Sequence, residues 1–105
     1  MQEVRCELVR WIADEPQPGW VEACFTDANG HRWSFFDKPP VFGALISRSS
    51  ILPVAGVIKC EVVASRSDER GKEILEIRLL DGVESEKGLV RFEVRADQVI
   101  TSAEE

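Results

Sequence analysis

This chain encodes an all-β domain, a small antiparallel barrel or sandwich of about six short strands. Three observations point there. Apolar residues recur at every second position in separate segments, most cleanly at Val90, Phe92 and Val94 against Arg91, Glu93 and Arg95. That period of two marks a half-buried strand. Turn-forming groups such as Asp27-Ala28-Asn29-Gly30, Ser67-Asp68-Glu69-Arg70-Gly71 and Asp81-Gly82 separate the segments. Most connections are too short for parallel crossovers, so antiparallel order is expected, and closing the sheet would remove exposed edges.

Residues 2–12 carry two patterns. Val4, Cys6 and Leu8 alternate with Glu3, Arg5 and Glu7, while Val4, Leu8, Trp11 and Ile12 also share one helical stripe. Val, Cys, Trp and Ile favour extended backbone and no N-cap precedes them, so strand is preferred. The apolar phase slips at Val9-Arg10-Trp11, which calls for a bulge or bend. Asp14-Glu15-Pro16-Gln17-Pro18-Gly19 is a connector, because two prolines and a glycine exclude helix and interior strand.

The next segment fixes its own register. A two-residue Asn-Gly loop would set Phe25 opposite Ser34 and mix the faces. A three-residue loop, Ala28-Asn29-Gly30, sets Phe25 opposite Trp33 and Ala23 opposite Phe35, with all four pointing inward. Asp27 and Gly30 suit the first and fourth positions of a type I turn, with Gly30 left-handed in a bulge. The same register places Glu22 opposite Phe36 and Trp20 opposite Lys38. Pro39-Pro40 ends the second strand, and Val41–Ser50 reads as a short strand or a loop folded over one end of the core. From Gly56 onward, Ile58, Cys60 and Val62 pair as a second hairpin with Leu75, Ile77 and Leu79. Val90–Val94 is the next strand, Val99-Ile100 adds a short edge, and Thr101–Glu105 reads as a frayed acidic tail.

A chain of 105 residues fits one domain, 1–105, with 44% apolar residues to build a core. A net charge of −6 argues against general attraction to nucleic acid or anionic lipid. The acid excess sits in residues 1–27 and 81–105, whereas 28–80 is slightly basic. Cys6, Cys24 and Cys60 form no CxxC pair; Cys6 and Cys60 sit in phase with apolar neighbours and read as buried thiols of a reducing, cytoplasmic compartment, whereas Cys24 falls on the outward face of the first hairpin. No signal peptide or membrane span is expected, because charges interrupt the apolar pattern of residues 1–12 and of the stretch 39–58.

The residues give no catalytic, cofactor-binding or metal-binding set. His31 is the one histidine, placed at a turn with only Asp27 nearby to orient it, so it reads as a solvated turn residue rather than part of a triad. The carboxylate pairs Glu3/Glu7 and Glu73/Glu76 read as solubilising faces, and Arg91, Glu93, Arg95, Lys59 and Glu61 as cross-strand ion pairs. The outward face of the first hairpin is more suggestive. Trp20, Glu22, Arg32, Phe36 and Lys38 combine aromatic area with orienting charge, as protein-binding surfaces do. The expectation is a non-enzymatic protein-interaction module of adaptor or immunity type, with a basic protein partner; a homodimer through an open sheet edge is compatible with the pattern. The alternative is a single-stranded RNA binder that stacks bases on Trp20 and Phe36 beside Arg32 and Lys38, against which stand the net charge and Glu22.

Overall fold

A computed structural model describes residues 1–101. Among the described residues seven strands follow one another: β1 Gln2–Ala13, β2 Trp20–Thr26, β3 Arg32–Asp37, β4 Val54–Ser67, β5 Glu73–Leu79, β6 Arg91–Arg95 and β7 Val99–Thr101. Every pairing is antiparallel, in the order β3-β2-β1-β4-β5-β6, with β7 added to β1. The sheet curls into a half-barrel around a core of Val4, Leu8, Val21, Phe35, Ile58 and Ile77, among others. Thr101 therefore ends a strand, and the rest of the expected acidic tail lies outside the described residues.

Two sets of contacts draw the outer strands β3 and β6 toward each other. The Ala28 N–H donates to the Glu93 carbonyl at 2.8 Å, and the Glu86 N–H to the Ser34 carbonyl at 2.9 Å. Beneath them, the Phe92 ring meets Phe25, Trp33 and Phe35 at centroid distances of 5.3, 5.3 and 5.7 Å. A sheet this short cannot complete its ladder all round, so the seam is closed by turn backbone and aromatic rings instead.

β1 is the central strand, paired along one edge to β4 and along the other to β7 and then β2. Its register shifts between Leu8 and Arg10, and again between Trp11 and Ala13, at the expected slip in apolar phase. The first hairpin has the three-residue loop: Phe25 pairs with Trp33, Ala23 with Phe35 and Glu22 with Phe36, and Gly30 has φ of 84°. One expected pair does not form. The ladder stops at Val21 with Asp37, and Trp20 faces Ala13 of β1 rather than Lys38. Pro39 has no N–H to extend the ladder, and the chain turns there into a 3-10 helix over Pro39–Phe42.

That helix is the lid over one end of the core. Pro39 and Phe42 are buried, and the peptide at Phe42 lies against Gly56, where a Cβ would sit 3.0 Å from the Phe42 carbonyl oxygen. In the second hairpin Ile58, Cys60, Ile77 and Leu79 are buried, whereas Val62 and Leu75 are only partly so. A bulge lies between Val62 and Ala64, and Ile74, on the face opposite Leu75, is buried as well. Val90 precedes β6 and is exposed. Its carbonyl accepts the Leu79 N–H at 2.8 Å, so it extends the β5–β6 contact without joining the core.

Candidate functional site

The five residues expected on the hairpin's outer face do not form one cluster. Trp20, Phe36 and Lys38 lie toward the end of the half-barrel that carries the Pro39–Phe42 helix. Arg32 pairs with Thr26 at the other end of the hairpin, six residues from Trp20 along the strand, or roughly 20 Å at about 3.3 Å per residue. Glu22, between them, is engaged by its own neighbours. It accepts the Ser34 hydroxyl at 2.7 Å and the Arg10 guanidinium at 2.9 Å. The hydrogen bond from Ser34, with help from Arg10, holds its carboxyl below the usual range although burial pushes the other way. Phe36 remains 41% exposed, whereas Trp20 is half-buried.

Beside Pro18 and Pro39-Pro40 stands a feature that strand periodicity did not find. The segment between the 3-10 helix and β4, residues 43–53, carries Leu45 at 96% and Ile51 at 90% exposure. Ile12 on β1 and Val41 on the 3-10 helix are exposed as well, Val41 toward Lys59 and Leu80. The segment is braced. Ser50 N–H donates to the Ser47 carbonyl at 2.9 Å, and Ser50 Oγ accepts the Ser47 N–H at 2.9 Å. Arg48 reaches Asp14 at 2.9 Å, and Asp14 also accepts the Trp11 indole N–H at 2.8 Å. Trp11 in turn lies so close to Gly19 that a Cβ there would strike the indole ring, and the φ of 106° at that position independently favours glycine. A chain of contacts thus runs from β1 through the connector to the loop that holds out Leu45 and Ile51.

A second concavity lies beside the turn end of the hairpin and reaches the end of the 3-10 helix at Phe42 and Gly43. β2 and β7 share one edge of β1 but part there: β7 pairs only as far as Val4, and β2 begins at Glu7. A groove of about 690 Å³ opens over the gap, lined by Arg5, Arg32 and Arg95 with Val57 and Ile100. The Gln98 side chain crosses its floor, donating to the Thr26 carbonyl at 2.8 Å and accepting the Arg95 N–H at 2.8 Å. Of these basic residues the sequence singles out Arg32 alone as a binding candidate, with Arg5 read as the polar side of a strand and Arg95 as an ion-pair partner, because only the curl of the sheet brings the three together.

The remaining titratable groups have structural explanations. All three cysteines are free and buried; burial raises the Cys6 thiol to about 12 and the Cys60 thiol to about 11. Both are protonated at neutral pH and poor nucleophiles. His31 is exposed, with its ring stacked on Trp33 at 5.6 Å. Asp27, only 7% exposed, accepts the backbone N–H groups of Asn29 and His31 and the Trp33 indole N–H. It organises the turn and does not orient an imidazole. The expected charge pairs are present in part: Arg78 with Glu61 and Arg91 with Glu76 bridge neighbouring strands, whereas Arg95 pairs locally with Asp97. Among the described residues no cluster of His, Cys, Asp and Glu suits a metal ion, and no helix is long and apolar enough to cross a membrane. Comparison with family models, with curated proteins and with solved structures finds no match to this chain. Fold and surface define it as an all-β half-barrel domain with one apolar end and one arginine-lined groove.

Proposed function

We propose that this domain is a non-enzymatic protein-interaction module that docks through the apolar end of the half-barrel. The observation that carries the reading is the pair Leu45 and Ile51, nearly fully exposed on a loop braced by Arg48–Asp14 and Ser47–Ser50. A loop whose backbone is already braced has less freedom to lose on binding than a mobile one, so more of the apolar burial goes into affinity. The partner carries an apolar pocket with a basic rim, since a domain of net charge −6 is steered toward positive surfaces. Three free, buried thiols support a reducing, cytoplasmic setting. The single-stranded RNA alternative draws less support, because Arg32 stands far from the aromatic pair it was to serve.

The test is photo-crosslinking from position 45 or 51 in the cell of origin, with position 90 as the exposed control. One defined protein captured from 45 and 51 but not from 90, and lost in the Leu45→Asp/Ile51→Asp variant, supports the reading. Equal capture from all three positions refutes it. A concentration-dependent dimer that the double variant reduces to monomer would assign the surface to a second copy of the chain instead.

A further inference from the structure

The groove between β2 and β7 suits a ligand of a different kind from the apolar end. Its three guanidiniums come from three strands, Arg5 from β1, Arg32 from β3 and Arg95 at the end of β6. Two carboxylates, Glu7 and Asp97, also line it. Asp97 lies 3.3 Å from Arg95, whereas Arg5 and Arg32 make no ion pair among the described residues. The departure is informative in an acidic chain, where Arg10, Arg48, Arg66, Arg78 and Arg91 are each matched to a carboxylate. The groove therefore holds one positive charge more than negative, on side chains whose planar forks match carboxylate and phosphate geometry. Val57 and Ile100 give it apolar wall, and its volume lies within the range typical of small-molecule sites.

We propose that this groove binds a small organic anion, a carboxylate or phosphate carried on an apolar body, with Arg5 and Arg32 taking the oxyanion. The apolar body lies along Val57 and Ile100. Gln98 holds the floor closed by tying the end of β2 to the backbone of Arg95. Phe42 and Gly43 of the lid also border the groove, but neither Leu45 nor Ile51 lines it, and its occupation does not depend on the docking proposal.

The experiment is titration of ¹⁵N-labelled protein with benzoate, phenyl phosphate and inorganic phosphate, following the amides of Arg5, Arg32, Arg95 and Gln98. Saturable shifts confined to the groove with benzoate or phenyl phosphate are expected, and which of the two binds tighter identifies the oxyanion. Inorganic phosphate should bind at least tenfold more weakly. Arg5→Gln/Arg32→Gln should weaken the better ligand at least tenfold, and Arg32→Lys by several-fold, since it keeps charge and loses the fork. Arg70→Gln, an exposed turn residue outside the groove, and the Leu45→Asp/Ile51→Asp variant should leave binding unchanged. Absence of saturable shifts with either organic anion, equal binding of inorganic phosphate, or full affinity in the folded double arginine variant would overturn the proposal.

Discussion

Ser34 shows how much one small side chain settles on this surface. Its hydroxyl donates to Glu22 at 2.7 Å, while its backbone N–H donates to Glu86 and its carbonyl accepts from the Glu86 N–H at the seam. Because the folded-state pKa of Glu22 is lowered, its contribution to stability is complete above the ordinary carboxyl value and is lost as pH falls through the folded value. Ser34→Ala removes the largest cause of that lowering while Arg10 and burial remain. The Glu22 midpoint, read from its side-chain carboxyl resonance, is expected to move up, and the acid limb of the stability curve to flatten. An unmoved midpoint would mean that Arg10 and Cys24 fix the carboxylate without Ser34. Asp27 acts differently: its three accepted hydrogen bonds tie the turn to Trp33 from within, which is why an acidic residue is tolerated at near-complete burial.

At the scale of elements, the approach of the Pro39–Phe42 helix to β4 rests on Gly56. Cys6 pairs with Gly56, and a Cβ there would strike the Leu8 side chain and crowd the Phe42 carbonyl oxygen at 3.0 Å. Leu8 can turn aside, but the backbone of the lid cannot without lifting Phe42 from the core. Gly56→Ala is therefore expected to destabilise by about 1–3 kcal/mol, the usual range for overpacking, measured by urea denaturation. A change under about 0.5 kcal/mol would show that the lid adapts. The strands themselves were legible because a period of two is imposed by burial on one face, and the Asp27–Gly30 turn admitted only one consistent register. The lid and its loop were not. A 3-10 turn has no extended repeat to read, and Leu45 and Ile51 obey no period because they pack on nothing. Ile74 escaped because its neighbours Leu75 and Ile77 already satisfied the alternation. The groove escaped for a third reason: Arg5, Arg32 and Arg95 meet through curvature, which alternation does not encode.

For the whole molecule, that curvature depends on the seam between β3 and β6. Gln2 pairs with Thr101 and with Cys60, so the sheet joins distant parts of the chain, and its closure comes with no continuous ladder. Phe92 is the seam's centre, 5% exposed and in contact with three aromatic rings of the first hairpin. Phe92→Ala is expected to cost about 3–5 kcal/mol in denaturant-induced unfolding, the range for a large aromatic removed from a core that cannot collapse around the gap. Phe92→Leu, which keeps most of the volume, should cost less and retain cooperative unfolding. Because Arg95 follows on the same strand while Arg32 stands across the seam, loosening this contact should also weaken anion binding in the groove. Leu45 and Ile51, outside the seam, should keep their crosslinking pattern in Phe92→Leu. A Phe92→Ala protein within about 1 kcal/mol of the parent, far below the core-truncation range, would show that the backbone bonds at Glu93 and Glu86 close the half-barrel without the rings.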